Sequence, residues 1–384
     1  MDRREFVRTL GALPLALSLP AYGDAPASTY RQLLVLIELK GGNDGLNTLV
    51  PYADENYYAL RPRLAIARDQ VLQLDERSGL HPALKPLLPL WQSGELAIVQ
   101  GIGYPGPNLS HFRSIEIWDT ASKSDQYLDE GWLSRTFRQA PAPREFAADG
   151  VVVGGHDLGP LAGSTARVIA LASTERFLRQ ARLATPAEHA SNAALRHILR
   201  VERDIVQAAA RFDTGHAFQT QFPRTGFGNG VRTAAQVIAA RAGVAAVKLS
   251  LNGFDTHSNQ AGVHARLLQT FADGMAALKQ ALVELGRWDD ALVMTYAEFG
   301  RRPRQNASGG TDHGTASVHF LAGGRVSGGL YGAAPALDRL DGTGNLPFAV
   351  DFRELYATVL ERWWGIDSYG PLGGRFRPLD VIRT

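Results

Sequence analysis

The sequence predicts an α/β layered fold, a central and mostly parallel sheet flanked by helices. Two patterns predict it. Short runs of apolar, β-prone residues alternate with stretches of helical spacing along much of the chain, as βα units require. These runs are apolar at successive positions rather than at every second one, which suits strands covered on both faces. The composition agrees: 45% hydrophobic and 20% charged residues in 384 exclude a disordered or collagen-like chain.

The elements follow in order. A strand over 33–39 meets the Gly-rich turn Gly41-Gly42-Asn43-Asp44-Gly45. Helical spacing over 82–92 leads to a second strand over 96–99. From His111 the spacing of Phe112, Ile115 and Trp118 is helical, which places Ser110 at the N-cap. A short strand is expected over 151–155, then helices over 192–212 and 231–241. The strand over 244–251 ends in Asn252-Gly253-Phe254-Asp255-Thr256-His257, and a long helix over 264–285 follows. The next strand, 291–296, ends in Ala297-Glu298-Phe299-Gly300-Arg301, and a polar loop then delivers Thr311-Asp312-His313-Gly314. A β segment over 318–321 and an amphipathic helix over 352–364 complete the pattern, with Trp363-Trp364 read as core packing. Without an internal repeat or linker, residues 28–384 read as a single domain.

The first residues read as an address. Arg3-Arg4 and Phe6 precede an apolar stretch over 10–20, and Ala25-Pro26-Ala27 offers a cleavage site before Ser28. This describes a bacterial export signal over 1–27 of the twin-arginine type, with a periplasmic or secreted destination. No other segment approaches the ~20 uninterrupted apolar residues of a membrane span. Lys plus Arg is 40 against 38 for Asp plus Glu, a net charge of +2 without the basic stripe of a nucleic-acid binder. Cysteine is absent, which excludes disulfides, zinc–thiolate sites and cysteine nucleophiles.

Acidic and imidazole side chains cluster where strands end: Asp44, Asp255 with His257, and Glu298, joined by Asp312 with His313 from a later loop. If the sheet is parallel, these converge on one edge, where open α/β sheets bind ligands. Such a mixture suits Zn²⁺, Mn²⁺ or a similar divalent ion. Two ions about 3.5–4 Å apart clamp an in-line displacement at phosphorus or sulfur. Ser110, at a helix start whose N–H groups favour an anion, is the candidate nucleophile, with His111 beside it as a proton donor. Arg301, next to Arg302 and Arg304, reads as a clamp for an oxyanion. Each residue also has a plainer reading: Asp44 and Asp312 as turn formers, Asp255 and Ser110 as caps, His111 as helix packing, the arginines as a solvated loop.

Five motifs, Gly-Gly-Asn-Asp-Gly-Leu-Asn (41–47), Ser-His-Phe-Arg-Ser (110–114), Phe-Asp-Thr-His (254–257), Glu-Phe-Gly-Arg (298–301) and Thr-Asp-His-Gly (311–314), resemble the bacterial exported family known as domain of unknown function 1501. That family in turn resembles the alkaline phosphatase and sulfatase superfamily. The resemblance implies an alkaline-phosphatase-like fold, Asp44 as a metal ligand after the first strand, and Ser110 as nucleophile. It implies Asp255 and His257 as ligands of one metal. The superfamily's Asp-His pair after the next strand is replaced here by Glu298-Phe299-Gly300, and Asp312-His313 follows after a loop. The formylglycine context of sulfatases is missing around Ser110, and there is no cysteine to convert.

The expected function is an exported hydrolase of a phosphate or related sulfate ester, dependent on divalent Zn, Mn, Mg or Ca. Its expected partner is a small-molecule or glycan ester, and no nucleic acid. The alternative is a non-catalytic exported protein that binds a partner or polysaccharide on a hydrolase-like scaffold. Convergence of the strand-end groups distinguishes the two.

Overall fold

The computed structural model describes residues 29–171, 216–240 and 243–383. The export signal and the helix expected over 192–212 lie outside the described residues.

Strand β1, Leu33–Lys40, is the centre of the architecture. In chain order there follow β2, Leu96–Gly103; α1, His111–Thr120; α2, Trp132–Gln139; β3, Ala148–Val153; and β4, Val168–Leu171. Next come α3, Gly226–Ala239; β5, Val244–Asn252; α4, Gln260–Glu284; and β6, Ala291–Tyr296. The chain finishes with β7, Ser317–Ala322; β8, Gly329–Tyr331; β9, Val350–Asp351; and α5, Phe352–Ala357.

Among the described residues the main sheet runs β8-β2-β7-β6-β1-β5-β3-β4, with β9 pairing β2 beyond the end of β8. β1 pairs parallel with β5 and with β6, Leu36 lying beside Lys248 on one side and Met294 on the other. β3 continues the parallel series to β5 and β4. β7 is the antiparallel member, between β6 and β2. The expected mostly parallel sheet is therefore present, and β1, β2, β5 and β6 all end on one edge.

Burial explains the continuous apolar runs. Leu33, Val35, Ile37 and Leu39 face one core with Phe227 and Val231 of α3 and Leu268, Phe271 and Leu278 of α4. Leu34 and Leu36 face the opposite core with Trp118 of α1, Trp132 of α2 and Leu355 of α5. Trp363 and Trp364 are buried there too, their indole N–H groups donating to the carbonyls of Leu33 and Gln32. Helices thus cover both faces of the sheet, and none of those described is long and apolar enough to cross a membrane.

Some elements differ from expectation for local reasons. The stretch 82–92 divides into a 3-10 turn, Pro82–Leu87, and a short helix, Leu88–Gln92, because Pro86 and Pro89 have no N–H to give a continuous ladder. α3 starts ahead of residue 231 because Thr225 caps it, accepting from the Gly228 N–H at 2.9 Å. α5 carries the capping box of Asp351 and Glu354 and passes into a π turn, Thr358–Trp363. A small sheet of Leu49–Val50, Gly79–Leu80 and Leu72–Gln73 was not foreseen.

The turn after β1 approaches its neighbours too closely for any side chain at its start. Gly41 has φ +114°, and a Cβ there would lie 2.4 Å from the backbone N of Asp255. Gly42 has φ +79°, and its Cβ would meet the Phe299 ring at 2.6 Å. Gly41→Ala is therefore expected to cost at least about 1–3 kcal/mol in urea unfolding, with the strain centred on the β1 and β5 loops. An unchanged midpoint would contradict this close approach.

Candidate metal centre

The parallel strands deliver their loops to one edge, and α1 begins there after β2. Four side chains close on one point. Nε2 of His257 lies 3.1 Å, Nε2 of His313 3.2 Å and Nε2 of His111 3.3 Å from the same Asp255 Oδ1. Atoms of His111, Asp255 and His313 lie within 4.8 Å of one another, close enough to share an ion.

The opposite nitrogen of each ring faces an oxygen. His111 Nδ1 is 2.8 Å from Glu298 Oε1, His313 Nδ1 is 2.7 Å from the Leu109 carbonyl, and His257 Nδ1 is 3.4 Å from Asp312 Oδ1. A carbonyl or carboxylate oxygen accepts, so in the tautomer with its proton on Nδ1 each ring donates to that oxygen. That neutral tautomer leaves Nε2 with a bare lone pair turned to the cluster. This is how proteins orient metal-ligating histidines, with an outer oxygen fixing the tautomer.

Two observations show that the donor set fits a cation. His111 Nε2 is buried and has no hydrogen-bond partner, since its approach to Asp255 lacks the required geometry. His257 and His313 bring their Nε2 atoms to 2.9 Å of each other. In the Nδ1–H tautomer these are two lone pairs facing each other, an arrangement a cation between them would relieve. Burial first, and then the Arg301 charge, holds the His313 imidazole below its ordinary pKa and favours its neutral form.

Packing fixes the rings. Phe299 sits against His111 and His313, with centroids 4.9 and 4.5 Å away. Asp255 is half exposed, so the cluster opens to solvent. Burial raises its carboxyl, but the Arg301 hydrogen bond and charge prevail and hold it at about 2.

The sequence expectations fare unequally. Asp255, His257 and His313 come together as expected, and His111 joins them instead of standing apart as a proton donor. Glu298 and Asp312 stand behind the imidazoles; Glu298 Oε1 also accepts from the Gly41 N–H at 2.9 Å. Arg301 requires correction. It is buried, and its guanidinium donates to the carbonyls of Gly41, Gly42, Phe254 and Thr311 and to Asp255 Oδ1. Its donors are taken within the protein, so it positions the loops and offers no clamp to a substrate.

Asp44 also requires correction as a ligand of this centre. The glycine turn directs it inward, where Oδ2 accepts from Arg61 Nη1 at 2.6 Å and from Gln260 Nε2. Both partners of the ion pair are buried. Arg61 and Gln260 were not foreseen; Gln260 carried one signal, its place three residues after His257 at the start of the following helix. His319 is buried against Trp118, centroids 5.2 Å apart, and His156 is exposed on another loop.

Ser110 stands at the N-cap of α1, exposed and directly before His111. Its hydroxyl does not cap the helix, so the first N–H groups stay available to an anion. Its backbone N–H donates to Asn108 Oδ1 at 2.8 Å. Asn108 N–H in turn donates to the buried Tyr104 hydroxyl at 3.1 Å, and Tyr104 lies 2.7 Å from Ser114 Oγ. Ser114 donates to the Glu298 carbonyl, so this chain ties the serine loop to the end of β6.

Residues 99–372 match the family model described as "Protein of unknown function (DUF1501)". No curated protein matches the chain. Among solved structures, the chain is similar to the lipoteichoic acid synthase LtaP from Listeria monocytogenes at 11% identity, with 93% of this chain and 77% of that one covered and a TM-score of 0.41. It is similar to a protein in the alkaline phosphatase superfamily from Vibrio parahaemolyticus at 10% identity, 90% and 69% coverage and a TM-score of 0.43. The soluble domain of lipooligosaccharide phosphoethanolamine transferase A from Neisseria meningitidis gives 10% identity, 88% and 89% coverage and a TM-score of 0.41. Likeness this distant says nothing of the reaction.

The Asp44–Arg61 pair generates a prediction. Arg61→Met leaves a buried carboxylate without its partner and is expected to cost about 3–5 kcal/mol in urea unfolding. Burial pushes the Asp44 carboxyl up, but the Arg61 charge and hydrogen bond outweigh it and hold the group below its ordinary 3.8. A carboxyl lowered in the folded state contributes stability above its unfolded pKa and loses it as pH falls through the folded value. The stability gap between wild type and Asp44→Asn should therefore narrow as pH drops below 3.8. A gap that widens on acidification would sink the ion-pair assignment.

Proposed function

The chain belongs to the DUF1501 family, and from that premise we propose that it is a metal-dependent hydrolase of a phosphate or related sulfate ester with Ser110 as nucleophile. The observation that carries this reading is the set of three imidazoles, each with Nδ1 against an oxygen and Nε2 turned to Asp255 beside an uncapped serine. His111, His257, His313 and Asp255 would hold the ion. A divalent ion bound there supplies Lewis-acid polarisation of the ester and lowers the pKa of a nearby hydroxyl.

The chain's own residues do the rest. Glu298, Asp312 and the Leu109 carbonyl keep the Nδ1 protons in place and so keep the ligand nitrogens bare. Ser110 presents its hydroxyl where the N–H groups of α1 favour negative charge. Attack by Oγ forms a bond to phosphorus or sulfur and breaks the bond to the leaving alcohol. Water then restores the serine hydroxyl, so the overall reaction consumes water and releases an alcohol and an oxyanion. Export is part of the proposal, motivated by Arg3-Arg4 and the apolar stretch behind them. The convergence favours this reading over a purely binding scaffold, which has no need to gather three histidines.

Metal analysis by mass spectrometry of the purified protein is the primary test. Stoichiometric divalent metal that disappears in Asp255→Ala/His257→Ala is expected. Glu298→Gln should weaken metal affinity about 10–100-fold by loosening His111. Ser110→Ala should keep the metal and lose turnover on phosphate and sulfate esters. Protein without metal after incubation with zinc, manganese and calcium, or near wild-type turnover in Ser110→Ala, would overturn the proposal.

A further inference from the structure

A cavity of about 150 Å³ has Arg301 in its wall but none of the histidines or Asp255 of the candidate centre. That is room for roughly ten water molecules, at about 10–15 Å³ each in this measure. Its walls are residues 333–336 and 346–349, together with Gly45, Leu46, Leu49 and Val318, nearly all small or apolar. Phe348, an apolar ring left 39% exposed, lines it as well.

Beside the cavity the β2–β7 ladder slips. Ile102 pairs with Ser317 and Val99 with His319, so Gln100 and Gly101 together oppose Val318 in a bulge. Gly101 takes φ +65°, and a Cβ there would press on Ala349 at 3.0 Å. The bulge directs attention to Gln100, which lines the cavity and is only 5% exposed. No side-chain hydrogen bond joins Gln100 to a described residue, and its amide atoms are not sealed off, so they are open to a hydrogen-bonding partner in the cavity. Its neighbours along β2 on the same face, Leu96 and Ile98, belong to the core that also contains Leu49 and Val318 of the cavity wall.

Charge narrows the occupant. Arg301 is the charged side chain on the wall, and its donors are consumed by four carbonyls and Asp255. No acidic residue lines the cavity among the described residues. A cation would be desolvated with no counter-charge, and an anion would meet only the Arg301 charge, which already pairs with Asp255, so either ion is costly there. A neutral molecule would bury its apolar body and satisfy the Gln100 amide.

We propose that this cavity is a binding site for a small neutral molecule of roughly ten heavy atoms, with an apolar body and one hydrogen-bonding group that pairs with Gln100. The proposal does not rest on the hydrolase reading. The test uses three probes of matched shape, benzamide, benzoate and isopropylbenzene, in ligand-observed NMR titrations of the purified protein. Benzamide and isopropylbenzene should bind and benzoate should bind at least roughly tenfold more weakly, the penalty of an unpaired buried charge. Gln100→Leu should weaken benzamide roughly three- to tenfold, the worth of one hydrogen bond, while isopropylbenzene binds as well or better. Ala334→Leu, at an exposed wall position, should weaken both neutral probes by reducing the space. Failure of both neutral probes to bind up to their solubility would overturn the proposal. So would equal binding of benzoate and benzamide, or benzamide affinity indifferent to both substitutions.

Discussion

A single buried guanidinium holds the functional edge together. Arg301 ties the carbonyls of Gly41 and Gly42 after β1, of Phe254 after β5, and of Thr311 in the loop before β7. It also holds Asp255, the carboxylate on which the three histidines close. Removing a guanidinium from water is expensive, and only a full set of acceptors compensates it. The rigid fork of arginine matches acceptors in several directions, where the point charge of a lysine would leave most of them unpaired. The three loops consequently share one geometry, and the imidazoles are placed before any ligand arrives.

The strands were legible because their residues are apolar at successive positions, which only a doubly covered sheet explains. Leu33 to Leu39 divides between two cores as that pattern requires. The loops that carry the candidate centre were legible as well, since each follows a strand of the parallel series. What was not legible is depth. A strand-end carboxylate in the sequence is equally a ligand, a support for a ligand or half of an ion pair. Glu298 became a support for His111, a residue 187 positions away, and Asp44 turned to Arg61 on a segment with no strand signal. The clamp reading of Arg301 failed for the same reason: sequence shows that an arginine is near the edge, not whether its donors face water.

The bulge in β2 is a different kind of omission. Gln100-Gly101 interrupts an apolar run, and a polar residue followed by glycine inside a strand is a signal of broken pairing. The expected strand stopped at residue 99, whereas the chain continues past the irregularity to Gly103. Behind the edge, the sheet carries further buried charge: Glu38 and Lys248 pair at 3.0 Å, with Ser250 donating to the same carboxylate at 2.9 Å. This ionic pair lies on the neighbouring strands β1 and β5, so their register and the pairing of these charges are one requirement.

The position of β1 has a consequence for the order in which the molecule assembles. It is the first strand of the sheet along the chain, yet it lies in the middle, and the residues it meets on β5 are 212 positions further on. During synthesis β1 has no partner on either side until most of the chain exists, and such long-range parallel pairing is intrinsically slow. The Gly41–Asp44 turn, which hangs from its end, acquires its partners only at that late stage. The functional edge is therefore among the last features to form. A partly made chain would hold an unpaired apolar strand with the histidine cluster unassembled, a hazard that favours completing the fold in a protected compartment.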